Sequence, residues 1–153
     1  MGLRETRLRA VIYLLIERPA RKRSWSTLID GLASGGATVE QRATSAKDMP
    51  RNRQQLGHVI TIERWGQQRL RSALGEPLVL DDSNLHAPSA NLTLSGLRKE
   101  WSIARRTTMQ LAGELEKLPD STRVVHNQFG PLSLRGWIRY LNMHAHFESK
   151  RIR

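Results

Sequence analysis

The stretch LSGLRKEWSIARRTTMQLAGELEKLP, residues 94–119, decides the architecture. Its apolar positions Leu94, Leu97, Trp101, Ala104, Thr108, Leu111, Leu115 and Leu118 step alternately by three and four, which draws one continuous stripe along a helix of about seven turns. Pro119 lacks the N–H that would continue the ladder and so predicts the stop. A helix of that length with a single apolar seam is stable only against other helices, which makes it a bundle helix.

The same logic extends outward in both directions. After Phe129-Gly130-Pro131, Ser133 is placed to cap a last helix whose stripe runs Leu134, Trp137, Leu141, His144, Glu148 and Ile152, with two polar positions on the seam. Residues 51–74 form a third long pattern, opened by Pro50 and closed by Gly75-Glu76-Pro77, with Leu56, Val59, Ile60, Ile62, Trp65, Leu70 and Ala73 on a broad apolar face. Upstream, Leu8–Ile16 and then Trp25, Leu28, Ile29 and Leu32 read as helical, and Pro19 is expected to break or kink the join. The run AVIYLLI, residues 10–16, reads as a buried helix segment, and Ser34-Gly35-Gly36-Ala37 is expected to be a turn that ends the region. Leu78-Val79-Leu80 and Val124-Val125 are too short to build a sheet. Residues 76–93 are long for an antiparallel helix connection, where about 2 to 8 residues suffice, so they suggest a crossover between two parallel helices. The expectation is an all-α fold, one domain over residues 1–153.

Charge and cysteine usage bound the chemistry. Lys and Arg number 25 against 14 Asp and Glu, a net charge of +11, and residues 1–75 carry 14 of the basic and 6 of the acidic side chains. That surplus raises a nucleic-acid reading. With no cysteine, a disulfide framework, a thiolate nucleophile and any Cys-ligated centre are excluded, so a metal site must use histidine and carboxylate. The apolar run 10–16 is far short of the roughly 20 residues that span a bilayer, and the Glu17-Arg18-Pro19 that follows it is not a signal-peptide cleavage region. A cytoplasmic protein without membrane contact is expected. Gly-x-Ser-x-Gly, phosphate-loop and dinucleotide motifs are missing.

His144 and Glu148 lie about 40° apart around one helix, on adjacent turns, and can bind one ion or form a hydrogen-bonded pair. An uncompensated carboxylate on a bundle seam is costly, and a divalent cation relieves that cost. His58 precedes Ile62 and Trp65 by steps of four and three, at the edge of a buried face, and could supply a third ligand or be a boundary residue. Glu63 points elsewhere on that helix and is read as a salt-bridge or packing residue. His146 points away from His144, while His86 and His126 fall in connections and rank lower. The tryptophans Trp25, Trp65, Trp101 and Trp137 all fall on stripes and read as core or pocket wall.

The segment His126-Asn127-Gln128-Phe129-Gly130-Pro131-Leu132-Ser133-Leu134-Arg135-Gly136-Trp137, followed by His144, resembles the last-helix signature of the DinB-like (DNA-damage-inducible, YfiT-type) superfamily. Leu56-Gly57-His58-Val59-Ile60 with Glu63-Arg64-Trp65 resembles that family's second helix, and Gly75-Glu76-Pro77 with Asp81-Asp82-Ser83 the connection after it. The likeness spans about residues 38–153. It implies a four-helix bundle of up-down-down-up order with a long crossover between helices two and three. It also implies a metal set of three histidines, which map onto His58, His144 and Glu148; the last departs from the family's histidine and leaves a two-His, one-carboxylate set.

Three functions follow as expectations. The first is a metal-dependent thiol transferase or hydrolase, using Zn, Ni or Fe on a small substrate that is anionic or a thiol. The second is a non-enzymatic stress-response bundle whose metal site has decayed, and in either case a homodimer is expected. The third, a basic nucleic-acid-binding module, is disfavoured because the charge is spread along long helices without a binding motif.

Overall fold

The computed structural model describes residues 3–153. It is predominantly helical. Helix α1 (Leu3–Ile12) passes into a π-helical stretch, Tyr13–Glu17, and then a short helix α2 (Arg18–Arg21) with Pro19 in its first turn. The wider π winding lies immediately before the proline, where the ladder loses a donor. Pro19 is thus carried inside the helical run, and the break falls at residues 22–24. Of residues 10–16 only Ile12 and Ile16 are buried, whereas Val11, Tyr13, Leu14 and Leu15 are exposed. The expectation of a buried segment is corrected: it lies along one side of the last helix, so one flank alone is covered.

Four long helices carry the core: α3 (Trp25–Ser45), α4 (Pro50–Arg71), α5 (Leu94–Leu115) and α6 (Leu134–Ser149). Each begins where its sequence provides a start. The Ser24, Thr93 and Ser133 hydroxyls accept from the backbone N–H groups of Thr27, Gly96 and Gly136, and Pro50 sits in the first turn of α4. A single 3₁₀ turn, Ser72–Leu74, extends α4, and Gly75 closes it at φ 98°. The main packing pairs α3 and α4 each with both α5 and α6.

Helix α3 runs through the expected turn at residues 34–37, which is a second correction. The glycines there serve close approach: a Cβ on Gly36 would lie 2.8 Å from Arg105 Cγ, and one on Gly35 would overlap the Asn142 amide. A Gly-Gly pair reads as a turn from local rules, and only the neighbouring helices reveal the packing reason.

A third correction is a small sheet. Strands β1 (Arg123–His126) and β2 (Gly130–Ser133) pair antiparallel, Val124 opposite Leu132 and His126 opposite Gly130, around a three-residue loop closed by Gly130 at φ 74°. Two such strands gain stability by being anchored to helices. Trp137 Nε1 donates to Val124 O at 2.9 Å, and Val124 and Leu132 are buried against the helical core.

The buried apolar residues form two groups, one around Leu32, Trp65, Leu111 and Trp137, the other around Val39, Leu56, Leu97 and Trp101. Along both α4 and α5, polar side chains separate them: Glu63 and Gln67 on one, Arg105 and Thr108 on the other. Thr108 donates to Glu63 at 2.6 Å, Gln67 donates to Thr108 at 2.9 Å, and Arg105 pairs with Glu63 at 3.1 Å. Glu63 has the salt-bridge role its position suggested. All four tryptophans are buried, as the stripes implied.

Candidate metal centre and ligand cavity

A cavity of about 710 Å³ opens where α4, α6, the hairpin loop and the link at residues 76–93 meet. Helix α4 contributes His58, Ile62 and Trp65, whose steps of four and three keep them on one face; α6 contributes Tyr140 and His144, again four apart. The 76–93 link brings Leu80 to Ser83, and the hairpin brings His126 to Phe129.

The structure brings two of the expected ligands together. The His58 and His144 rings stand 5.1 Å apart, centroid to centroid, with His58 on the open side. Burial and the neighbouring His58 push His144 down to about 4, against the pull of Glu148, so His144 is neutral at physiological pH with a lone pair to offer. Glu148 is not in the cavity wall. Its Oε2 accepts from Gln55 Nε2 at 3.0 Å and from Arg151 Nη1 at 2.9 Å. Among the described residues no group of three His, Asp or Glu side chains is gathered around one point that could hold a metal ion.

A third histidine that the sequence placed low stands in the wall instead. His126 lies on β1, is 3% exposed, and is enclosed by rings: Phe129 stacked at 4.1 Å, Tyr140 at 4.8 Å, Trp65 and Trp137 each at 5.1 Å. Its Nδ1 accepts from the backbone N–H of Gln128 at 3.1 Å and of Phe129 at 3.2 Å. Nδ1 therefore carries a lone pair and Nε2 the proton. Burial, with Arg69 and His144 nearby, holds the group down to about 4, which keeps it neutral. Tyr140 moves the other way, up to about 12, through burial and the Glu148 charge, so it stays a phenol.

Behind this wall Arg69 is completely buried. Its Nη2 donates to Asn127 Oδ1 at 2.9 Å and to Asp81 O at 3.2 Å, and the Asp81 carboxylate lies 3.7 Å away. Asp81 is also held by His86 Nε2 at 2.8 Å, which accounts for His86. His146 lies outside the cavity, beside Phe147. Arg69 had one sequence signal: it follows Trp65 by four, a charged residue on an apolar seam. His126 had none beyond its place at the head of the 126–137 segment, which the structure turns into the end of β1, the hairpin loop, β2 and the start of α6.

The wall thus offers the facing imidazoles of His58 and His144, the latter held neutral, a fixed N–H donor on His126, and a phenol that does not ionise. Comparison of the chain with protein families, with characterised proteins and with solved structures finds no match. No helix among the described residues is long and apolar enough to cross a membrane.

Proposed function

We propose that the chain is a DinB-like protein, a four-helix bundle of up-down-down-up order. In this reading, the cavity is its working site, where His58 and His144, completed by Glu148, hold a divalent ion of zinc, nickel or iron. The observation that carries this reading is the pairing of His58 and His144 across α4 and α6 at 5.1 Å. The packing of α3 and α4 each against α5 and α6, and the long link at residues 76–93, support the bundle order.

The residues fit a metal in part. Two imidazoles are offered, His144 is held neutral, and Glu148 projects from α6 one turn beyond it. The Glu148 carboxylate must leave Gln55 and Arg151 to join them. A divalent ion bound there would supply Lewis acidity to a carbonyl, or lower the pKa of a bound water or thiol. The chain's own groups do the rest: Tyr140 donates as a phenol, and His126 donates from Nε2. The reaction that follows is transfer of a thiol to a small molecule, or its hydrolysis.

One observation favours a second reading, a helical protein without a working metal. Glu148 is satisfied by Gln55 and Arg151 and has no need of a cation. Metal analysis of purified protein decides between them. Near-stoichiometric metal that is lost in both His58→Ala and His144→Ala supports the first reading. Metal content unchanged in those variants refutes it, and loss in the histidine variants but not in Glu148→Ala moves the third ligand elsewhere.

A further inference from the structure

Along one side of the cavity, in and behind the wall formed by His126 and Trp65, lie more buried hydrogen-bond donors than the protein uses. His126 Nε2, Trp65 Nε1, and Arg69 Nε and Nη1 are buried and have no hydrogen-bond partner among the described residues. The three residues are 3%, 4% and 0% exposed. They are contiguous: the Arg69 guanidinium lies 5.2 Å from the Trp65 ring, and that ring 5.1 Å from His126. His126 and Trp65 stand in the cavity wall, and Arg69, outside the lining, lies against Trp65.

Buried donors left unpaired are costly, so their concentration on one side of a cavity asks for an acceptor. The nearby acidic groups meet the demand only at Arg69, where Asp81 Oδ1, itself without a hydrogen-bond partner, faces the guanidinium; none reaches His126 Nε2 or Trp65 Nε1. Asp81 is held by His86 and stands off from Arg69 at 3.7 Å, and Asp82 caps the 3₁₀ turn at Ser83–His86 by accepting from Asn84 N. The donor His126 is also fixed in tautomer and direction, because both N–H groups of the hairpin turn hold Nδ1 and leave Nε2 on the ring's far side. Preorganised donors backed by a buried guanidinium favour a charged acceptor over a neutral one. The flanking surfaces of Trp65, Phe129 and Tyr140 suit a flat apolar body, and the volume falls within the range of small-molecule sites.

We propose that this side of the cavity binds the carboxylate of a small organic acid with an aromatic or branched apolar body, its oxygens taking the Nε2–H of His126 and the Nε1–H of Trp65 in the field of Arg69. The inference names a substrate class for the cavity and rests on that cavity being the working site. It does not require a metal.

Benzoate is the probe, titrated into chelator-treated protein and followed by tryptophan fluorescence and calorimetry, with benzamide and inorganic phosphate as comparison ligands. Saturable binding of benzoate, with benzamide and phosphate at least about tenfold weaker, is expected. In His126→Asn the amide oxygen takes over the role of Nδ1 and the Nε2 donor is lost, so affinity falls about 10- to 100-fold. In His126→Gln a donor returns near the Nε2 position and most of the affinity is kept. Trp65→Phe keeps a ring, removes the other donor and weakens binding by a comparable factor. The proposal is overturned by no benzoate binding, by benzamide binding as tightly, or by His126→Asn binding like the parent while folded by circular dichroism. Because metal is absent throughout, failure here leaves the His58 and His144 measurement standing, and loss of the metal reading leaves this result standing.

Discussion

Replacing Arg105 by methionine tests the polar layer that divides the core. Arg105 Nη2 donates to Glu63 Oε2 at 3.2 Å, Nε lies 3.1 Å from Oε1, and Nη1 reaches Asn142 Oδ1 at 3.1 Å. The guanidinium also covers Trp101 at 4.6 Å. Glu63 is 1% exposed, and burial pushes its carboxyl up, opposed by the Arg105 charge and the Thr108 hydroxyl. Methionine keeps much of the volume and removes the charge, leaving a buried carboxylate without its cation. Breaking a buried pair from one side costs about 3–5 kcal/mol, a large part of a total of about 5–15 kcal/mol. The loss must depend on pH. With Arg105 gone the folded-state pKa of Glu63 rises further above its unfolded value, so stability is greatest below the unfolded pKa. It falls as pH climbs through the window between the two, by about 1.4 kcal/mol per unit. Urea denaturation of parent and Arg105→Met at pH 5 and pH 8 measures this, with Glu63→Gln added to the methionine variant expected to recover much of the loss at pH 8. A loss under about 1 kcal/mol at pH 8, or the same loss at both pH values, would refute the claim that Arg105 compensates a buried charge.

Two further outcomes follow from particular contacts. Gly36→Ala puts a Cβ 2.8 Å from Arg105 Cγ and is expected to cost about 1–3 kcal/mol in urea denaturation, whereas Gly113→Ala, in α5 with nothing within 4 Å of the new carbon, should gain about 0.5–1 kcal/mol. Equal effects would show that helix propensity alone governs both sites. His126 is held down to about 4, so the unfolded chain binds its proton first as pH drops below about 6.5. Folded stability should therefore decline between about pH 6.5 and pH 4, by on the order of 1–2 kcal/mol from this residue once screening by cavity water is allowed for, and His126→Asn should flatten that slope.

The stripes of residues 94–118 and 134–152 were legible because each helix buries one face and the spacing records which face. Leu97, Trp101, Leu111 and Trp137 all lie where the stripe put them. The Gly35-Gly36 pair misled because a helix interior that presses against another helix uses the same residue a turn does. The hairpin misled for a related reason. Val124 and Val125 are too few to announce a strand, and their pairing depends on Leu132 and on Trp137 gripping the Val124 carbonyl, neither of which is local. Residues 10–16 looked like core because seven apolar residues in sequence carry no mark of how much of the helix is covered.

For the site, the difficulty is that Glu63, Arg69, Arg105, His144 and Glu148 all read alike in the sequence, as polar residues within long helical patterns. What separates them is the partner each meets from another part of the chain. Glu63 and Arg105 meet one another and belong to the core. Glu148 meets Gln55 and Arg151 and is drawn away from the cavity. Among the described residues His144 packs against His58 and Tyr140 with no hydrogen bond to either, and Arg69 meets a carboxylate of the 76–93 link that is shared with His86, so both retain unspent capacity. Spacing along one helix fixes which residues share a face, but unused hydrogen-bonding and ligating capacity is a property of the assembled set. Here it concentrates where the hairpin and the 76–93 link, the two least periodic segments of the sequence, close over α4 and α6. That is where a ligand has most to satisfy, and it is why His126, at the head of the 126–137 segment, carries more of the functional argument than the better-spaced Glu148.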